Sequence, residues 1–400
     1  MEPNIPASWA PDTAASAALA QERPLEVRFT GSGSEYFRIW VVNLLLSIVT
    51  LSLYRPWAKL RRLRYFYANT LVDGHAFDFH GNPWKMLRGY LLVGAMLVCY
   101  SVAGRFSPMA ALMALLILAT LWPALLRASL QFRLANTSWR GLRFRFSGTL
   151  GGAYAALLPM FVPALVLAVM ALGVTDRQHP PSWYLKDVGL VMLATLLALP
   201  LAWWNFKRFQ HDHFGLGQWR TKLETGAGSV YLLCLKILGV TLLSFLAVFI
   251  VLVIAGAVLW VVAWGNTAPE WAHNKALVST LSMLLGLVFY FFALMLPVPY
   301  ATSRAQNLVW GRTRSQEVSF HSHLEFGALL KLTFKNWLLM LLTLGLYYPF
   351  ATVASYRLRV ESIAPVLTGD LDQLQAQAAA VVSDASGDAA GDLFGIDIGL

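Results

Sequence analysis

Eight stretches of the chain, at 36–54, 89–104, 108–126, 149–173, 188–206, 229–264, 277–301 and 327–348, carry almost no charged side chain. About 18 such residues are needed to cross roughly 30 Å of hydrocarbon as a helix, so blocks of this length belong in a bilayer. Composition agrees: 13% of the side chains are charged, about half the share in an average soluble domain. A soluble enzyme is excluded. The sequence predicts an all-α polytopic membrane protein of about eight hydrophobic helical segments, with six to eight crossings. The stretch 229–264 is too long for one untilted span and is expected to begin as an interfacial helix around Lys236.

The charges are unevenly placed. Residues 1–35 carry five acids and two arginines, and 361–400 carry seven acids and no Lys or Arg, so the core holds +20 of a total of +10. Four loops, 55–88, 127–148, 207–227 and 302–326, contain nineteen Lys and Arg, against four (Arg105, Arg177, Lys186, Lys275) in the alternate connections. The positive-inside bias places the basic loops in the cytoplasm. The polar, mildly acidic Met1 to Arg28 stretch lacks the basic-then-apolar pattern of a cleavable signal peptide. Three regions are expected: a disordered polar tail at 1–24, a single membrane domain at 25–360 and an acidic tail at 361–400. Cys99 and Cys234, both in apolar segments, read as small packing residues.

Self-comparison reveals internal repeats. Pro56, Asn69, Thr70, Gly74, Phe77, Phe79 and Gly81 recur 67 residues later as Pro123, Asn136, Thr137, Gly141, Phe144, Phe146 and Gly148. Pro299, Thr313 and Phe320 repeat part of the pattern, and Pro200 opens a degenerate copy. A second element, Asn43, Thr50, Leu51, Leu53, Tyr54, Pro56, Ala58 and Arg64, returns as Asn336, Thr343, Leu344, Leu346, Tyr347, Pro349, Ala351 and Arg357. About five diverged copies of one unit are expected.

Each unit begins with an apolar helix that ends at the proline, followed by an aromatic in three copies (Trp57, Tyr300, Phe350). A basic amphipathic stretch comes next, clearest in Arg55 to Asn69, where Arg55, Lys59, Arg61, Arg62 and Arg64 alternate with Trp57, Leu60, Leu63 and Phe66. A short Phe-x-Phe run with period two then predicts a strand at Ala76 to Gly81 and Leu142 to Gly148, with like strands at Leu25 to Gly31 and Gln316 to Ser322. Together they predict a small β-layer under the membrane.

That layer raises a question of parity. If the Val27/Phe29 and Phe77/Phe79 strands share one side, then 36–54 and 327–348 start and finish there, leaving six crossings with both tails inside. The alternative is eight crossings with both tails outside, favoured by the lack of any Gly or Pro breaker in 37–54. Export of an uncleaved polar tail ahead of a basic flank is unusual, which favours the first.

No catalytic set emerges. Six of eight histidines, His75, His80, His211, His213, His321 and His323, lie in the basic loops, two pairs as His-x-His, but no cysteine or carboxylate cluster completes a metal site. There is no His-Glu-x-x-His run, nucleophile elbow or P-loop, and Gly31-Ser32-Gly33-Ser34 reads as a turn before the first helix. None of the 21 acids falls in an apolar core, which argues against a carboxylate-based proton or cation transporter. Asn43, Asn336, Lys236, Lys331 and Lys335 are the polar groups there. The expected binding groups are the loop cations Arg55, Lys59, Arg61, Arg62, Arg64, Arg127, Arg133, Arg140, Arg143 and Arg145, facing anionic lipid headgroups. No nucleic acid partner, metal or cofactor is expected.

The stretch from Phe29-Thr-Gly-Ser-Gly-Ser-Glu-Tyr-Phe through Thr50-Leu-Ser-Leu-Tyr-Arg-Pro-Trp-Ala to Asn69-Thr70, with Thr343-Leu-Gly-Leu-Tyr-Tyr-Pro-Phe-Ala, resembles the YjgN family of bacterial inner-membrane proteins. The resemblance runs from about residue 27 to the end of the chain and implies location and architecture, with no established activity. It also hints at a membrane-associated zinc metallopeptidase as a partner. Two functions are compatible: a non-enzymatic membrane protein whose basic face engages anionic lipid or a protein, or a transporter or channel for a small anionic or lipidic solute, which requires a polar cavity lined by residues such as Asn43, Lys331 or Asn336.

Overall fold

The computed structural model describes residues 22–174, 179–217, 219–264 and 275–368. Most of the expected tails, 1–24 and 361–400, lies outside the described residues. Among the described residues twelve short strands pair antiparallel: β1 (Arg23–Pro24), β2 (Val27–Phe29), β3 (Thr70–Val72), β4 (His75–Phe79), β5 (Thr137–Trp139), β6 (Leu142–Phe146), β7 (Phe214–Leu216), β8 (Trp219–Arg220), β9 (Lys222–Leu223), β10 (Thr313–Arg314), β11 (Val318–Ser322) and β12 (Ile363–Leu367). One sheet has the order β1-β12-β11-β10-β9 and the other runs from β2 to β8 in sequence.

The two sheets are continuous at both ends. β1 leads into β2 across Leu25 and Glu26, and β8 into β9 across Thr221. Backbone bonds bridge these seams: Leu25 N donates to Pro365 O at 2.8 Å, Asp73 N to Glu26 O at 2.9 Å and Thr221 N to Phe214 O at 2.9 Å. The strands therefore close as a ring, which leaves no long edge with unpaired backbone groups. Alternation turns one side chain in two inward. Buried Leu25, Val72, Trp139, Val318 and Leu367 from both sheets meet there, with Val27, Phe77, Phe144, Leu216, Trp219 and Phe320 packed against them. The predicted strands are present, and they form a filled ring instead of a flat layer. It starts at Arg23 and ends at Leu367, on either side of the expected limits of 25 and 360.

The hairpin turns follow from sequence. Asp73-Gly74 and Arg140-Gly141 have positive φ at both residues (50° and 76°, 50° and 80°), the two-residue turn whose twist matches paired strands. At the opposite end of each strand pair one junction recurs five times: the residue before the first strand accepts a backbone bond from the residue after its neighbour. The donors are Thr30, His80, Ser147, Glu224 and His323, the acceptors Asn69, Asn136, His213, Arg312 and Ser362, at 2.8 to 3.0 Å. Thr70, Thr137 and Thr313 tie these junctions to the preceding helix by donating to the carbonyls of Phe66, Arg133 and Val309 at 2.7 to 2.8 Å.

Phe-x-Gly has its own steric logic. A Cβ on Gly31, Gly81 or Gly148 would overlap the ring of Phe29, Phe79 or Phe146 two residues earlier. Those rings fold back over the glycine to wedge between helices, Phe29 against Tyr36, Phe66 and Val353, and Phe79 against Leu60, Met86 and Phe132.

Five helical excursions leave the ring and return to a neighbouring strand. They are α1 (Gly33–Val49) with α2 (Arg55–Ala68); α3 (Pro83–Phe106) with α4 (Pro108–Ala135); α5 (Leu150–Leu157) and α6 (Val162–Leu172) with α7 (Ser182–His211); α8 (Ala227–Trp264) with α9 (Lys275–Leu294) and α10 (Pro297–Trp310); and α11 (Phe326–Leu342) with α12 (Tyr348–Glu361). Among the described residues six stretches are long and apolar enough to cross a membrane: Pro83–Phe106, Pro108–Ala135, Leu150–Leu172, Ser182–His211, Ala227–Val258 and Ser279–Trp310. α8 is continuous from Ala227, so no separate interfacial helix begins at Lys236. Cys99 is exposed on α3 instead of packed.

The remaining two excursions are short. α1 and α11 have 17 residues each, about 25 Å at 1.5 Å per residue. Because β2 pairs with β3 and β11 with β12, both excursions return to the side from which they leave. The reversal needs no Pro or Gly breaker inside 37–54: the backbone turns at Leu51 and Ser52 (φ 49° and 72°), and at Leu344 and Gly345 (φ 50° and 91°). The two short hairpins lie side by side through Tyr36, Phe66 and Val353, and their tips present Leu51 and Leu344 almost fully exposed, at 89% and 94%.

Candidate ligand cavity

The last helix of every excursion contains a buried proline: Pro56, Pro123, Pro200, Pro299 and Pro349. Pro56, Pro299 and Pro349 sit in the first turn of α2, α10 and α12, where a missing N–H costs nothing. Pro123 and Pro200 lie within the unbroken α4 and α7. In α4 and α7 an apolar stretch precedes the proline, whereas α2 and α12 start beside it at the hairpin tip. Beyond the proline, toward the ring, each helix carries polar groups.

These polar groups converge on a cavity of about 670 Å³ bounded by α2, α4, α10, α11 and α12. Arg62, Arg133 and Arg359 reach it from three different helices, beside Gln306. Among the described residues that line it there is no Asp or Glu. Outside that lining, Lys207 on α7 donates to Gln210 Oε1 at 3.0 Å. Toward the tip of the short hairpin the wall turns apolar, with Val298, Trp337 and Met340. The cavity is thus amphipathic along its length.

The cations are held in place. Arg359 donates through Nε to Gln306 Oε1 at 2.9 Å, and Gln306 Nε2 donates back to Arg359 O at 2.8 Å. Arg359 faces the void, yet the surrounding protein desolvates it and pushes its pKa below the usual guanidinium value; an arginine stays charged nonetheless. Arg133 Nε donates to the Tyr67 hydroxyl at 3.1 Å. The Tyr356 hydroxyl bonds Thr70 Oγ1 at 3.1 Å, and burial pushes its pKa up, which keeps the phenol neutral. Like charges gathered together repel one another, and an anion among them relieves that repulsion.

The expected binding residues divide. Of the ten loop cations Arg62 and Arg133 line the cavity. Arg64 and Arg127 donate through Nε to Phe79 O and Gly148 O at 3.2 and 2.7 Å, bracing helix to ring. Arg55 and Arg61 are exposed on α2, with Arg61 over the Tyr54 ring, and Lys59 is half-buried there. Arg140 occupies a hairpin turn at the strand ends away from the helices, and Arg143 and Arg145 point outward from β6, Arg145 donating to Gly217 O at 2.6 Å. Lys207, Gln306 and Arg359 escaped the sequence reading. Arg359 follows Pro349 by ten residues, as Arg133 follows Pro123, and Lys207 and Gln306 follow Pro200 and Pro299 by seven, about one turn earlier on the helix.

The histidine pairs do not act alike. His321 and His323 stack with ring planes 2° apart at 6.4 Å, while His211 is buried with Nδ1 2.9 Å from Thr313 Oγ1 and His213 Nδ1 lies 2.8 Å from Phe209 O. Among the described residues no three His, Cys, Asp or Glu side chains gather as a metal site. Asn43 and Asn336 occupy equivalent places on α1 and α11, their Nδ2 groups donating to Ala58 O and Ala351 O at 3.5 and 3.4 Å. Only Asn336 lines the cavity.

A family of bacterial proteins of unknown function, DUF898, matches residues 24–393, which includes the whole ring except Arg23 and every helix of the cavity. The chain belongs to the DUF898 family. Within it the chain is similar to the inner membrane protein YjgN of Escherichia coli O157:H7, 25% identical over 374 residues, covering 86% of this chain and 89% of that one. The YjgN protein of Escherichia coli K12 is 25% identical over 379 residues with the same coverage. That of Salmonella typhimurium LT2 is 21% identical over 361 residues, covering 87% of this chain and 89% of its own. No solved structure matches. These YjgN relatives are inner membrane proteins, consistent with the six candidate spans.

Proposed function

We propose that the protein is a non-enzymatic membrane protein that takes the headgroup of an anionic lipid into the cavity, with an acyl chain along its apolar wall. The observation that carries this reading is the convergence of Arg62, Arg133 and Arg359 from three helices beneath Val298, Trp337 and Met340. A cationic end and an apolar end match an amphiphile better than a small polar solute. The two short hairpins support lateral access, because they stop where the other helices continue across. The nineteen Lys and Arg of the four strand-side loops, against four in the alternate connections, support a cytoplasmic position for the ring.

A conducting pore is the other reading, and Asn336 on the cavity wall speaks for it. Against it stands the ring core, where Trp139, Phe77, Phe144, Trp219 and Phe320 fill the space a solute would traverse along the axis. The test is to purify the protein in mild detergent and determine its retained lipids by mass spectrometry. Enrichment of anionic phospholipid over the membrane average, lost in Arg62→Gln/Arg359→Gln, is expected; retained lipid of average composition would overturn the proposal.

A further inference from the structure

A cation sits where one short hairpin ends. Residues 39–49 of α1 lie between Arg38 and the turn, a rise of about 16 Å, and residues 332–342 of α11 lie likewise between Lys331 and its turn. Half of the hydrocarbon core is about 15 Å, so both turns stop near its middle, with Leu51 and Leu344 almost fully exposed. Arg55 opens α2 directly after the first of these turns and is itself exposed. A charged side chain at that depth is costly, and where it is kept it marks a polar route through the membrane.

Arg55 is the first step of a ladder. Arg55, Lys59 and Arg62 follow at i, i+4 and i+7 and so share one face of α2. Arg62 lines the cavity, so the face that bears Arg55 at the tip is the one that enters the cavity lower down. On α12 the first, fifth and eighth residues are Tyr348, Thr352 and Ser355, and all three line the cavity. Cations therefore descend along one short hairpin and hydroxyls along its neighbour.

We infer that the protein carries anionic phospholipid between the two leaflets, with Arg55, Lys59 and Arg62 as successive stations for the phosphate from the hairpin tip to the cavity; this rests on the lipid-binding reading above. Lipid of the far leaflet fills the space above the tips, and a phosphate drawn to Arg55 crosses about 15 Å of hydrocarbon instead of about 30 Å. Thinning of the bilayer around a membrane-embedded arginine shortens that distance further. The phosphate then moves to Lys59 and Arg62 while the acyl chains stay in the bilayer beside the tips. Below the cavity the filled ring closes the axis, so the lipid leaves sideways into the ring-side leaflet. Exchange by this route runs in both directions.

The test reconstitutes the full chain into vesicles of phosphatidylcholine and phosphatidylglycerol with a trace of phosphatidylglycerol carrying a dithionite-quenched fluorophore on an acyl chain. Dithionite added outside bleaches the outer leaflet, and protein-free vesicles keep their inner-leaflet signal. Loss of that inner signal is expected with the protein present. Arg55→Gln/Lys59→Gln should slow the loss about tenfold, as removal of one charge-assisted hydrogen bond does, while the purified variant retains anionic phospholipid like the wild type. Arg61→Gln, on another face of α2 over the Tyr54 ring, should leave the rate unchanged. If the double variant loses its lipid, Arg55→Gln alone is read by the same criteria. An inner signal that persists with wild-type protein, alongside retained anionic phospholipid, overturns the inference and leaves the lipid reading standing. Equal rates in the wild type and Arg55→Gln/Lys59→Gln, or equal slowing by Arg61→Gln, do the same. Wild-type protein that retains no anionic phospholipid overturns both.

Discussion

Pro24 and Val366 face each other as antiparallel partners in β1 and β12, although they lie near opposite ends of the 400-residue chain. Their pairing closes the ring, and through it holds the two short hairpins together. Antiparallel partners have Cα atoms about 4.5 to 5.5 Å apart, within reach of a disulfide. In a protein with Cys99→Ala and Cys234→Ala, the pair Pro24→Cys and Val366→Cys should cross-link on oxidation. After proteolytic nicking in a loop the terminal fragments should stay joined until reduced; fragments that separate without reductant would show the ring open.

The junction of Thr313 and His211 is a second closure. Thr313 is fully buried, donates to Val309 O at 2.7 Å and lies 2.9 Å from His211 Nδ1. Thr313→Val keeps the shape and strands the histidine, costing about 1 to 3 kcal/mol. Thr313→Ser should recover most of this. Thermal unfolding in detergent reads the difference, and equal midpoints for Val and Ser would show that the hydroxyl carries no stability.

Phe79 is 1% exposed between Leu60, Met86 and Phe132. Truncating a buried phenylalanine to alanine leaves a cavity and costs about 3 to 5 kcal/mol. Gly81→Val should be at least as harmful, because its side chain would enter the Phe79 ring position. Denaturant-dependent loss of protease resistance measures both, and wild-type resistance in either variant would contradict the wedge.

The short hairpins predict a labelling pattern. In the cysteine-free background, Ser107→Cys, between α3 and α4, should react with a membrane-impermeant maleimide from one side only. Asp73→Cys in a ring turn should react only from the other. Ser52→Cys and Gly345→Cys, at the tips, should not react from the Ser107 side; reaction there would make α1 and α11 full crossings.

The sequence carries the local structure well. Asp73-Gly74 sets a hairpin, Phe-x-Phe sets the strand faces, and the match of Asn69-Thr70 to Asn136-Thr137 reflects identical helix-to-strand junctions. Ring closure was not legible, because the pairing of Arg23 with Leu367 is a long-range choice made by packing in the ring interior rather than by periodicity. The cavity was half legible. Arg62 and Arg133 stand out as loop cations, whereas Arg359 lies beyond the last apolar block and gains its meaning only from the convergence of helices. Charge counts alone also include Arg64 and Arg127, whose guanidinium groups serve backbone carbonyls.

Location of the lipid is the most direct test. A phosphatidylglycerol analogue carrying a diazirine on its headgroup, photolysed with the protein in a bilayer and mapped by peptide mass spectrometry, should label residues 298–310 and 329–363, with Arg62→Gln/Arg359→Gln suppressing it. Labelling spread over the outward faces of helices such as 190–201, and unchanged in that variant, would contradict a lipid site in the cavity.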